Sequence, residues 1–448
     1  MPKGRKKLLA KAKKPGKLAL KYHPYYKGKI EITPKCAIRN FNDFGIWYTP
    51  GVAKACKAIQ KDKKLVYDFT NKWNTVAVVS DCTRVLGLGD IGPEAGLPVM
   101  EGKALLFKYL GGVDAFPICL DTKDQDEIIK TVKQLKPSFG GINLEDISKP
   151  KCFYILETLR KELDIPVWHD DQQGTAAIVL SGLINALKIV GKKMNQVSIA
   201  MVGAGSANIR TAKVIISAGV NPKNIMMVDS KGILHSGRKD LERRKGENPY
   251  KWEMCLETNE ENRTGGIPEA LKCSDVCIAM SKPGPGTIKK GWISMMSDDS
   301  IVFTCANPIP EIWPWEAKEA GARIVATGRS DFPNQINNSL GFPGIFRGTL
   351  DVRSKTITDE MCIAAAKELA KFAEEKGIDE NYLIPTMEEW EVFPREAVAV
   401  GMEAVKQGIA RKKMSKSELY DLSSSIIKRS REITKTMMKK GYIKSPPK

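Results

Sequence analysis

Histidine is almost missing from this chain of 448 residues: His23, His169 and His235 are the whole set. That scarcity excludes a histidine-rich metal centre and moves acid–base chemistry onto lysine, tyrosine and carboxylates. No CxxC pair occurs among the ten cysteines, which excludes a zinc ribbon and reads as reduced, mostly buried thiols of a cytoplasmic protein. No apolar run approaches the roughly 20 residues that span a bilayer. Internal repeats and low-complexity tracts are absent too, which excludes a repeat architecture.

Acidic residues are also missing from residues 1–21, which hold nine Lys/Arg, and are sparse in 411–448, where twelve Lys/Arg face three acids. The net charge of +19 therefore sits at the ends, and residues 22–410 carry only +1. Basic ends attract nucleic acid or anionic surfaces, but here they read as solvated extensions, and nucleic acid is not an expected partner. The head has neither the Arg/Ser bias of a transit peptide nor the apolar core of a secretory signal. It is expected to be flexible.

A chain of this length predicts two domains. From residue 74 onward, short apolar runs alternate with amphipathic stretches. "NTVAVVSD", "VDAFPICLD", "SFGGINLED" and "IPVWHDD" read as buried strands, with helices in "PEAGLPVMEGKALLFKYLGG", "DQDEIIKTVKQL" and "CFYILETLRKEL". This is the pattern of βαβ units and a parallel sheet. The long helix "GTAAIVLSGLINALKIVG" precedes a second parallel series starting at "QVSIAMVGAGSA". The expected architecture is α/β. An N-terminal parallel-sheet catalytic domain (22–173) is followed by a dinucleotide-binding domain (174–410), with C-terminal helices, a basic flexible extension at 1–21 and a basic helical tail at 411–448. Residues 231–264 read as a charged surface excursion.

Two constellations carry chemistry. In "VGAGSA", Gly203 and Gly205 fit the first two glycines of a GxGxxG turn, so Gly203, Ala204, Gly205, Ser206 and Ala207 would cradle a diphosphate at a helix N-terminus. Asn208 stands where the third glycine belongs, which should loosen the packing of helix on strand. Asp229, 26 residues after Gly203, suits the adenosine ribose hydroxyls. Lys231 and Arg238 can meet a 2′-phosphate instead, so NAD and NADP both stay open. The second constellation pairs Glu145 with Asp146 and Asp170 with Asp171, where strands turn out of the sheet. Carboxylates converging without cysteine or histidine describe a site for Mg²⁺ or Mn²⁺, or else helix caps and ion pairs. Lys103 is placed near a helix start, and a cation beside Asp170 or a bound metal can have a depressed pKa and act as a base. Tyr48, in "WYTPGV", precedes a proline turn that can present a phenol to a cleft.

In order, "WYTPGVA", "TRVLGLGDIGPEAGLPVMEGKALLFKYLGGVDAFPICLDT", "SFGGINLEDI", "VWHDDQQGTAA", "VGAGSA", "CANPIPEIWP" and "ATGRSDFPNQINNSLGFPGIFRG" resemble the malic enzyme family, in its compact prokaryotic form, over about residues 22–400. The resemblance implies a Rossmann-type second domain and oxidative decarboxylation of (S)-malate to pyruvate and CO₂ with NAD or NADP, together with decarboxylation of oxaloacetate. It implies Glu145, Asp146 and Asp171 as metal ligands, Lys103 as base with Asp170 beside it, and Tyr48 as general acid. Arg84 would hold a substrate carboxylate, and Asn307, Asn337 and Asn338 would hold nicotinamide and substrate. It also implies a homodimer or larger homo-oligomer with no membrane partner. Cys82 stands where glycine is expected, which bears on the loop before Arg84. The rival activities are a malolactic-type lyase giving lactate without net redox, and a binding protein that uses its basic tails.

Overall fold

The structure is a computed structural model that describes residues 3–447, with side chains described from Lys14 onward; the rest of the two tails lies outside the description. Four parallel strands form the first sheet: β1 (Thr75–Ser80), β2 (Asp114–Cys119), β3 (Gly141–Leu144) and β4 (Val167–His169), in the order β2-β1-β3-β4. β1 and β3 are buried along their whole length, because helices cover both faces of a parallel sheet and leave no wet side.

The second sheet holds β5 (Ile199–Val202), β6 (Ile225–Asp229), β7 (Gly232–Ile233), β8 (Val276–Ala279), β9 (Ile301–Thr304) and β10 (Ile324–Thr327). Its order is β10-β9-β8-β5-β6-β7. β7 runs antiparallel to β6, so this sheet is not purely parallel as the pattern suggested. Two residues are too short a stretch to show a period. The charged segment after it is also more than an excursion. Its helix Pro249–Glu257 buries Met254 and Cys255, and it sends Lys251 onto Asp229.

Helix Thr175–Val190 lies between the sheets, and its Ile178, Val179, Leu183 and Leu187 share one core with Val79, Leu144, Ile199 and Met201. The segment Asp170–Val190, with mean hydropathy 1.4, is long and apolar enough to cross a membrane, contrary to the reading of the apolar runs. Yet 72% of that window is buried inside the protein. It is a core helix.

After residue 342 the chain returns to the first sheet. Phe342 and Phe346, from helix Phe342–Asp351, pack on Phe107 of helix Pro93–Gly111 with centroids 4.6 and 5.2 Å apart. Each buried ring contributes about 1.5–3 kcal/mol. This aromatic cluster fixes the helix that carries Lys103. Both basic ends are helical: Lys3–Tyr26 forms a helix where a flexible extension was expected, and Lys416–Lys439 packs by donating from Ser430 Oγ to Lys108 O at 2.7 Å. Tyr26 Oη donates to Lys444 O at 2.8 Å, joining the two ends. The C-terminal helix docks through its buried Leu419 and Ile427, which a count of charges does not reveal.

Candidate active site

Side by side in β3 and β4, the strands deliver their terminal acids to one place. Asp146 adopts φ +53°, a left-handed turn that takes the chain out of the sheet. Neighbouring side chains of a strand point to opposite faces, and this turn lets Glu145 and Asp146 serve the same site. At the end of β4 the chain makes one π-helical turn, Asp170–Gly174. It leaves Asp171 facing the β3 acids, with its Oδ2 accepting from Asp146 N at 2.8 Å. Ligand oxygens of Glu145, Asp146 and Asp171 lie within 4.8 Å of one another. Burial first, then mutual repulsion, pushes Asp146 well above the usual carboxylate range, and burial does the same to Glu145. Asp146 Oδ2 is buried with no hydrogen-bond partner. Three hard oxygen donors, one of them an orphaned atom, fit a divalent cation such as Mg²⁺ or Mn²⁺.

Lys103 lies beside this cluster. It comes from the middle of helix Pro93–Gly111, not from near its start, since the helix begins ten residues earlier. Its Nζ donates to Asp170 Oδ2 at 2.5 Å and lies 3.0 Å from Glu145 Oε1. Trp168 Nε1 holds the other Asp170 oxygen at 3.1 Å, and the Phe342 ring lies 4.3 Å from the ammonium. Burial works to lower the Lys103 pKa, but Asp170 and Glu145 outweigh it and hold the ammonium above its usual range. The sequence argument for a base made by a neighbouring aspartate had this sign reversed: a carboxylate stabilises the ammonium. Asp170 is itself pushed up by burial, so lysine and aspartate titrate as a pair.

The cleft above them encloses about 540 Å³. Arg84, Asn307, Asn337 and Asn338 line it with Lys103 and the three-acid cluster, and Ser206 and Ala207 close its far side. Asn337 is bound into its own loop, donating to Gly328 O at 3.2 Å and accepting from Ser339 N at 3.0 Å. Tyr48 does not line this cleft. It is 74% exposed, at the end of a short helix (Asn42–Trp47). His23 and Lys29, from a segment assigned no chemistry by the sequence, do line the cleft.

The dinucleotide turn fits its ligand in a specific way. Gly203 has φ +106°, and a Cβ there would fall 2.6 Å from Met280 O. Only glycine leaves this cradle open. Helix Ser206–Ser217 starts directly beyond, offering free N–H groups and the positive end of its dipole. Asn208 does not loosen the packing. Its Nδ2 donates to Val202 O at 3.0 Å and Gly203 O at 2.7 Å, pinning helix to strand where the third glycine would have done so by close approach. Asp229 is fully engaged: Oδ1 accepts from Lys231 N at 2.8 Å and from Arg238 Nη1 at 3.1 Å, while Oδ2 accepts from Arg238 Nη2 at 3.1 Å and from Lys251.

Three supporting residues were not legible as functional. A Cβ on Gly174 would sit 2.1 Å from Asp170 Oδ1, so this glycine leaves room for the carboxylate that pairs with Lys103. Trp168 was read only as a strand residue. Glu311 accepts from Ser281 N at 2.8 Å and Ala306 N at 3.2 Å, tying together two loops of the cleft wall, and burial pushes it up to about 7. Cys82, where glycine was expected, adopts φ +54°. The loop before Arg84 has the left-handed backbone that favours glycine, with cysteine in its place.

Fold and site together define a two-domain oxidoreductase: a carboxylate-and-lysine centre on one parallel sheet faces a dinucleotide turn on another. The N-terminal domain of malic enzyme matches residues 27–160, and the NAD binding domain of malic enzyme matches residues 172–409. The chain belongs to the malic enzyme family, which catalyses NAD(P)-dependent oxidative decarboxylation of malate. It is 49% identical over 393 residues to the bifunctional malic/malolactic enzyme of Bacillus subtilis, covering 88% of this chain and 94% of that one. It is 51% identical over 385 residues to the NAD-dependent malic enzyme of Geobacillus stearothermophilus, covering 86% and 78%. The crystal structure of Entamoeba histolytica malic enzyme superposes with a TM-score of 0.96 at 49% identity, covering 99% of this chain and 92% of that one.

Proposed function

We propose that this chain converts (S)-malate to pyruvate and CO₂ in the cytoplasm as a homodimer, with Glu145, Asp146 and Asp171 holding Mg²⁺ or Mn²⁺ and NADP preferred over NAD. The observation that carries the reading is the Lys103 ammonium, set between Asp170 and Glu145 at the edge of the three-acid cluster. When bound, the divalent ion supplies positive charge that polarises the substrate oxygen, and the dinucleotide supplies the hydride acceptor. Arg84 holds a substrate carboxylate. Lys103 acts as base only in its neutral form, which a divalent ion bound at the three acids would favour by opposing the ammonium charge; its Nζ then takes the C2 hydroxyl proton. Because Asp170 is fully buried, this transfer is shielded from water. The same fold hosts oxaloacetate decarboxylation, since that step needs only the polarised ketone and a proton donor for C3.

Tyr48 is that donor, and it comes from a second copy. Its segment exposes Ile32, Ile38, Phe41, Ile46 and Trp47 to between 50% and 85%, an apolar surface that water disfavours. A dimer covers it and brings the partner's Tyr48 to the cleft. Mixing Tyr48→Phe subunits with Lys103→Met subunits then restores about a quarter of wild-type activity, from the active sites that carry neither change. Two inactive parents whose mixture stays inactive, although the subunits exchange, place Tyr48 elsewhere.

NADP is favoured because Asp229 has no acceptor position left for ribose hydroxyls, while Arg238 and Lys251 place positive charge on it and the Lys231 ammonium pairs with neighbouring Asp240. The deciding assay supplies malate, Mn²⁺ and either dinucleotide, and follows reduced cofactor, pyruvate and lactate together. Reduced cofactor equal to pyruvate, abolished by chelator, is expected, with a higher kcat/KM for NADP. Lactate without reduced cofactor establishes the lyase reading, which the name of the Bacillus subtilis relative makes worth measuring.

A further inference from the structure

Most cations near the dinucleotide turn are matched by carboxylates. Arg238 and Lys251 share Asp229. Lys149 is different. Among the described residues no carboxylate lies within ion-pair distance of it, and its Nζ donates to the main-chain oxygen of Ala204 at 2.9 Å. Lys149 follows β3 by only a few residues, close to the metal-binding acids, whereas Ala204 is in the glycine turn after β5. A side chain of the catalytic half therefore reaches across to the diphosphate turn of the other.

The surroundings set a cost on that placement. Burial first, then the charges of Lys251 and Arg84, push the Lys149 ammonium below its ordinary range, with Asp229 and Cys152 opposing them. Lys149 is itself exposed to solvent, so its ammonium can turn from this neutral carbonyl to an anion bound at the turn, where a charge-assisted hydrogen bond replaces a neutral one. The same turn presents the N-terminus of helix Ser206–Ser217, so two independent sources of positive potential converge on one point.

We propose that Lys149 is a direct ligand of the cofactor's diphosphate, so that dinucleotide binding ties the catalytic domain to the nucleotide domain. This assignment rests on the malic enzyme reading of the cleft. The diphosphate is common to NAD and NADP, whereas the 2′-phosphate expected near Asp229 belongs to NADP alone. Loss of Lys149 must therefore weaken both cofactors alike.

The test is direct binding to the intact protein, read by fluorescence titration with NADPH, NADH and reduced nicotinamide riboside, which carries no phosphate. Lys149→Ala is expected to bind both dinucleotides about 10- to 100-fold more weakly, the range of a charged hydrogen bond. The riboside should change by less than about threefold, since it keeps no phosphate at this point. Lys149→Arg should recover most of the affinity, and the melting temperature without cofactor should not move. Unchanged dinucleotide affinity, an equal loss for the riboside, or a loss confined to NADPH each overturns the assignment. If the wild-type protein binds both dinucleotides but does not turn over malate, the functional reading fails while the Lys149 result stands on its own.

Discussion

Lys103→Met is expected to lower malate-dependent formation of reduced cofactor by at least about 10³-fold, within the range that a positioned acid–base group supplies. Methionine keeps most of the aliphatic stem against Phe342, so helix Pro93–Gly111 stays packed. What disappears is the only ammonium within ion-pair distance of Asp170 and Glu145 among the described residues. Both acids are buried, and an unpaired buried carboxylate is costly. They respond by holding protons, which raises their pKa values further. A carboxyl whose folded pKa lies above its unfolded value contributes stability at low pH and loses it as pH rises through the folded pKa. The variant should therefore be near wild-type in melting temperature at acid pH and fall behind as pH rises above the usual carboxylate range. Circular dichroism across that range, beside the rate assay, separates lost chemistry from lost fold. Near-normal turnover would remove Lys103 from the mechanism.

How far the site could be read from sequence depended on whether its geometry was local. Glu145, Asp146, Asp170 and Asp171 follow apolar runs of strand length, and parallel strands end on the same edge of a sheet. Their convergence on β3 and β4 is thus a consequence of period and topology. Two further acids at strand ends do not join them. Asp81 pairs with Lys151 and accepts from Thr83 N at 3.1 Å, while Asp121 lies on the exposed edge beyond β2. Position at a strand end selects candidates, and the neighbour across the turn decides among them. Lys103 could be nominated, but its charge state depends on Asp170 and Glu145, 67 and 42 residues away in sequence. Tyr48 was nominated on a motif, and the fold puts it on an exposed apolar segment outside the cleft, a placement that no local pattern carries. Asn208 shows the opposite case. A missing glycine looked like a defect until its amide was seen to bond the carbonyls of the turn.

Asp171→Asn tests the cluster most sharply, because it removes charge and almost nothing else. The amide is nearly the same shape, and its oxygen can still accept from Asp146 N, where Asp171 Oδ2 now accepts at 2.8 Å. Asp171 is also part of the repulsion that pushes Glu145 and Asp146 up. Without metal, three mutually close carboxylates strain the fold, so the asparagine variant should melt at the same temperature as wild type or slightly higher. With Mn²⁺ the order should reverse. Wild type gains stability according to RT ln(1 + [L]/Kd), about 2.7 kcal/mol at a hundred times Kd. The variant, short of one hard anionic donor, should gain little and turn over malate at a rate indistinguishable from background. Melting curves with and without Mn²⁺ therefore report on the ligand set before any kinetics are run. A metal-induced rise in melting temperature that survives Asp171→Asn would place the ion on other groups, and with it the polarising charge on which the proposed decarboxylation depends.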